Sequence, residues 1–156
     1  MAAKRGLGFT ISEKGAAKAA HDLELLGRRA QDVRPVSYKV RTVFRKAEQS
    51  RFVYQGPGWE RLAEGTQLRK SREGLDPRIL RAKNVLYRSL TSPSAAFQVD
   101  RRDAHEFEFG SDVPYAHFHQ EGRGVPERIL IDLTPAERRQ MTKAMQAYIA
   151  SGNTKP

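Results

Sequence analysis

Phe97-Gln98-Val99-Asp100-Arg101-Arg102-Asp103-Ala104-His105-Glu106-Phe107-Glu108-Phe109-Gly110 is the stretch on which the fold class turns. Apolar and polar residues alternate in Phe97-Gln98-Val99 and again from His105 to Phe109. Successive side chains of a strand point to opposite faces, so this alternation marks half-buried strands. Asp100-Arg101-Arg102-Asp103 lies between the two as the expected turn, and Gly110-Ser111-Asp112 closes the second strand. The expectation is an antiparallel hairpin. Glu106 and Glu108 fall on one side of it. Two carboxylates there could form an acid–base pair, but the alternation with Phe107 and Phe109 is fully explained by a solvent face, the preferred reading.

Working outward, Val113 to Gln120 predicts a short helix ended by Gly122-Arg123-Gly124, and Arg128-Ile129-Leu130-Ile131 predicts an additional strand. The last helix has Thr134 as its cap, Pro135 in the first turn and Glu137 completing a capping box. Met141, Ala144, Met145, Tyr148 and Ile149 form its apolar stripe, and Ser151-Gly152-Asn153 ends it. Upstream, Thr10-Ile11-Ser12-Glu13 has capping-box form and opens a helix whose apolar face is Ala16, Ala19, Ala20, Leu23, Leu26 and Ala30. Alanines there would let another helix approach closely. A second helix starts at Pro35, buries Val36, Val40, Val43, Phe44, Ala47 and Phe52, and stops at Gln55-Gly56-Pro57-Gly58. Residues 56–84 have weak periodicity and many basic residues, so they read as a long basic loop before the short helical segment around Val85–Leu90. Helices and strands are segregated, which makes the chain α+β: a hairpin plus an additional strand, packed against N-terminal helices and a C-terminal helix. A single domain over 1–156 is expected, with 1–9 and 152–156 flexible.

Composition narrows the chemistry. The apolar fraction of 38% is modest for 156 residues, so an assembly would help bury surface. With no cysteine, disulfides and thiolate metal sites are excluded. No apolar run is long enough for a membrane span, and the basic N-terminus lacks the apolar segment of a signal peptide. Residues 1–92 hold 20 Lys and Arg against 9 Asp and Glu, whereas residues 93–156 hold 8 against 9. That asymmetry suits a face near polyanion, and equally suits a solvated surface, because the cations are scattered singly.

Catalytic patterns are missing. His117 and His119 with His105 could form a zinc trio, yet i, i+2 spacing on a helix turns the two rings apart, so one core and one surface histidine is preferred. There is no nucleophile elbow and no phosphate-binding glycine loop, and no cofactor is expected. Arg69, Lys70, Arg72, Arg78, Arg81 and Lys83 could attract phosphate, without sequence readout and with steep salt dependence.

Several stretches together resemble the phage virion morphogenesis family of tail-completion proteins. The strongest runs from Phe107 to Gly122: a strand, Gly110-Ser111, then Tyr115-Ala116, His119-Gln120 and Gly122, at the family's spacing. Val125 to Thr134 resembles the family's segment before its C-terminal helix, with Glu127 in place of alanine and Ile129-Leu130 in place of Pro-Phe. Trp59-Glu60-Arg61-Leu62, with Thr66 and Lys70, is similar to a further family stretch. Leu86-Tyr87-Arg88-Ser89-Leu90 keeps another, although Arg81-Ala82-Lys83-Asn84 replaces the Thr-Gly before it.

The resemblance implies a structural, non-enzymatic virion protein that is made in the host cytoplasm and ends in the tail or neck. It implies a homo-oligomeric ring, a hexamer or dodecamer, meeting neighbouring neck, tail terminator or tail tube proteins, with non-specific contact to genomic DNA and none to membrane. Tyr115, His119, Gln120 and Gly122 are then the candidate motif or subunit-interface residues. Tyr115 and Phe118 are expected on the inner side of the short helix. The basic residues Arg69 to Lys83 are the candidate contacts to DNA or a neighbouring ring. A stand-alone non-specific DNA-binding protein is the alternative.

Overall fold

The structure, a computed structural model, describes residues 13–154. It is α+β. Six helices, α1 (Glu13–Gln31), α2 (Ser37–Val53), α3 (Glu64–Arg72), α4 (Val85–Thr91), α5 (Ala116–Glu121) and α6 (Pro135–Ser151), accompany strands β1 (Gln98–Arg102) and β2 (Phe107–Ser111). A 3-10 turn over Arg34–Val36, with Pro35 inside it, leads into α2. The expected capping box at Thr10 to Glu13 lies largely outside the described residues.

Two apolar clusters organise the packing. The larger joins Phe44 and Phe52 of α2 to Trp59, Leu86, Leu90 and Leu130. Phe52 is the hub: Trp59 and Tyr87 meet its ring edge-on, with centroids 5.6 Å and 5.4 Å away. The smaller cluster seats Tyr148 of α6 against Val33 and Val36, and the Tyr148 hydroxyl donates to the Asp32 carbonyl at 2.9 Å. Arg29 of α1 donates to the carbonyls of Ile149 and Ala150, supplying positive charge where the α6 carbonyls run out of partners.

α2, α4 and the hairpin pack together, whereas α1 is different. It reaches the rest of the molecule through its C-terminal half on α6, and every residue from Gly15 to Glu24 is exposed. Ala16, Ala19, Ala20 and Leu23 therefore do not bury the face their spacing defines, and Leu23 stays 68% exposed.

The hairpin turns three residues later than its turn signal predicts. Gln98 faces Ser111 and Arg102 faces Phe107, so Asp100, Arg101 and Arg102 belong to β1 and the turn is 103–106. Asp100 is held in the strand by arginines: Arg41 of α2 at 2.7 Å and Arg102 at 2.9 Å, with Arg45 at 4.0 Å. Arg101 and Glu108 pair across the exposed face at 2.7 Å.

Two further expectations are corrected. The stretch 56–84 is not one loop, since α3 occupies its middle. The additional strand at Arg128–Ile131 is absent: among the described residues the sheet has two strands. That segment is extended but paired by other means. The Arg128 amide donates to the His119 carbonyl at 2.7 Å, and Trp59 Nε1 donates to the Ile129 carbonyl at 3.1 Å. Gln120 does the rest: its Oε1 accepts from the amides of Leu130 and Ile131 at 2.7 Å and 3.1 Å, and its Nε2 reaches the Ile131 carbonyl at 3.5 Å. A side-chain amide stands where a neighbouring strand would, meeting the same backbone demand.

Candidate functional site

Gly122 is the point from which the site is built. It takes φ +68° at the end of α5, a conformation glycine enters without steric cost. A Cβ there would lie 3.1 Å from the Glu127 Cβ, so the chain also needs the missing side chain to fold back. This reversal brings 125–131 alongside α5, where His119 and Gln120 hold it.

The returning segment forms one wall of a cleft of about 700 Å³ between α3, the turns before α4 and the start of α5. Leu62, Ile79, Leu80 and Val85 give it apolar surface. Leu80 and Asn84 both adopt left-handed backbone, φ 58° and 57°, which folds the 80–84 wall tightly against the core. Tyr115 and His119 line the opposite side.

Five cations reach the same space. Arg61, Arg69 and Lys83 are exposed at the rim, while Lys70 and Arg128 are 4% and 5% exposed. Lys70 Nζ donates to the carbonyls of Asp76 and Arg78 at 3.0 Å and 2.6 Å, leaving one of its three N–H groups. Burial pushes its pKa down, with the Asp76 charge opposing. Arg128 Nη2 donates to the Glu60 carbonyl at 3.2 Å, but its buried Nε has no partner. Among the described residues neither cation has a carboxylate within 4.0 Å, although Glu60 and Glu73 also line the cleft. His119 Nδ1 is buried without a partner as well, and burial, then the Arg128 charge, hold its pKa below the ordinary histidine value. Both favour the neutral imidazole, and the ring is set edge-on to Tyr115 at 6.4 Å.

The two sets of residues singled out in the sequence thus meet, in part. Arg69, Lys70 and Lys83 share the cleft with Tyr115 and His119. Arg72 is exposed outside it. Arg78 is committed to Asp76, whose carboxylate accepts from its Nε and Nη2 at 2.9 Å and 2.6 Å and is held far below the usual acid range. Arg81 is buried, its guanidinium 3.8 Å over the Tyr87 ring and its Nε on Asn84 Oδ1 at 2.7 Å. Tyr115 and Phe118, expected to pack inward, are 45% and 43% exposed; Ala116 and Val113 take the core positions instead. Arg128 was missed by sequence reasoning, because a single arginine beside an apolar run carries no local signal of burial.

Among the described residues no histidine side chain is hydrogen-bonded to a hydroxyl or a carboxylate, and no three metal-binding side chains gather at one point. No described helix is long and apolar enough to cross a membrane. The fold is α+β, and the cleft sets two buried cations, Lys70 and Arg128, beside apolar surface. The chain belongs to the phage virion morphogenesis family, whose model matches residues 16–150. It is a phage structural protein that acts in virion assembly among other virion proteins. No curated protein and no solved structure matches it.

Proposed function

We propose that this chain is the repeating subunit of a homo-oligomeric ring at the head–tail junction or tail end, which completes the tail and makes it competent to join the capsid. It acts as one domain and is assembled in the host cytoplasm. The observation that carries the reading is the amount of binding surface a lone copy leaves unused. α1 extends an exposed apolar face from the body, and the cleft holds two buried cations with no carboxylate within 4.0 Å among the described residues. A contact between unlike surfaces of identical copies closes into a ring when the rotation permits. Tyr115, His119, Arg69 and Lys83 face a neighbour in this reading, while Gln120 and Gly122 shape the surface from within.

Two measurements test it together: light scattering on the purified protein, and electron microscopy of particles made without it. Heads and tails that accumulate unjoined support the proposal; normal joined particles defeat it. Exposed Arg69, Arg72 and Lys83, which have no ion-pair partner among the described residues, favour one second reading, non-specific binding to the genome. It requires tight duplex binding by the isolated protein that falls steeply with salt.

A further inference from the structure

A lysine and an arginine buried side by side without a carboxylate are an unusual expense for a small fold. Burying a charge is costly unless it is paired, and unpaired buried donors in native structures call for an explanation. Lys70 and Arg128 are more than nine-tenths buried, line one cleft, and keep a spare N–H and an unpartnered Nε. His119 adds a third buried nitrogen without a partner. Elsewhere in the same molecule, Asp76 and Asp100 pair with the arginines around them. Arg45 and Arg51 also bury unpartnered nitrogens, but each has a carboxylate within 4.0 Å, which neither cleft cation has among the described residues.

We propose that this cleft is a docking socket for an apolar segment bearing a carboxylate side chain, presented by a neighbouring virion protein. The carboxylate enters between Lys70 and Arg128, accepting from the free Lys70 N–H and, once the Arg128 side chain turns to uncover it, from Arg128 Nε. An aliphatic side chain of the same segment lies on Leu62, Ile79 and Leu80. Tyr115 packs against the segment, with its exposed ring as the flank. Shape and polarity select a peptide over a nucleic acid. A duplex presents phosphates along a ridge, which suits exposed cations such as Arg69 and Arg72, whereas Lys70 and Arg128 sit below the surface among aliphatic side chains. Charge-assisted hydrogen bonds to such buried donors are the strong kind.

The socket rests on the assembly reading only for the identity of the donor, a virion protein. It does not require a ring. The test uses the full chain with two capped peptides, one alternating leucine with glutamate, the other carrying glutamine in its place. Calorimetry at fixed ionic strength gives affinity, and amide-shift mapping locates the site. The glutamate peptide is expected to bind at least tenfold tighter than the glutamine one and to move amides near Lys70, Leu80 and Arg128. Arg128→Met is expected to abolish that preference. Should it unfold, the exposed Lys83→Glu variant, expected to weaken the glutamate peptide several-fold, carries the test. Equal binding of both peptides, or no binding of either, overturns the proposal. So does a short DNA duplex that displaces the glutamate peptide from the same amides, or dilution of the protein alone shifting them, which would mean that a second copy fills the cleft. A monomer in particles that still binds the peptide defeats the ring and spares the socket; a ring whose cleft ignores both peptides does the reverse.

Discussion

Glu48 lies in the middle of α2 and is wholly buried, with neither carboxylate oxygen hydrogen-bonded. Arg51 Nε is 3.7 Å away, close enough to attract but too far for a hydrogen bond. Burial dominates that attraction and pushes the carboxyl pKa from 4.5 up to about 8, with Glu137 adding to the rise. The acid is therefore protonated in the folded protein at neutral pH and ionised in the unfolded chain. The folded state holds the proton more tightly, so the stabilising term is complete below about pH 4.5 and is lost as pH rises through about 8. At about 1.4 kcal/mol per pH unit the full displacement is worth about 5 kcal/mol, of which about 4 falls between about pH 5 and about pH 9. Glu48→Gln keeps the shape and removes the titration. Denaturant unfolding of both proteins across that range should give a stability difference that grows by about 4 kcal/mol in favour of the glutamine variant, on the order of 10 °C in melting temperature. Taking the difference cancels titrating groups that do not interact with Glu48, His119 included. Parallel pH profiles for the two proteins would show that Glu48 is ionised in the fold and refute the reasoning.

Removing the Gln120 side chain leaves the amides of Leu130 and Ile131 without partners, so Gln120→Ala should cost about 2–4 kcal/mol by urea unfolding. Gly122→Ala places a Cβ against Glu127 at positive φ and should cost about 1–2 kcal/mol, measured the same way. Thr134→Ala breaks the reciprocal cap with Glu137 and should cost about 1 kcal/mol, seen as faster amide exchange in the first turn of α6. Reversing Arg69 and Arg72 should change stability by less than about 0.5 kcal/mol, because both are exposed. Lys70→Glu should melt far lower by circular dichroism, since it sets a carboxylate against the carbonyls of Asp76 and Arg78.

Elements that depend on neighbours in the chain were legible; those that depend on distant ones were not. The α6 start is written in four consecutive residues, Thr134 to Glu137, and the cap forms between them. The hairpin was readable from Phe107 and Phe109, yet its turn was misplaced because Asp100 carries the signature of a turn residue. What keeps Asp100 extended is Arg41, which is 59 positions away. α3 escaped notice for another reason: its buried face is Lys70, so no apolar stripe betrays the helix.

The same distinction explains the site. The motif from Tyr115 to Gly122 was recognisable as a unit of candidate motif or subunit-interface residues, with Tyr115 and Phe118 expected inward. The fold divides it. Gln120 and Gly122 turn inward to supply, with one amide and one missing side chain, the edge that a third strand would have supplied to Arg128–Ile131. Because no strand is there, that segment can diverge from the hairpin and lean toward α3, bringing Arg128 within the same cleft as Lys70. A true strand at 128–131 would have committed the segment to the sheet. The departure from the expected sheet and the presence of two unpaired buried cations are thus one structural fact, and a variant that weakens the Gln120 clasp should loosen both the wall and the charge it carries.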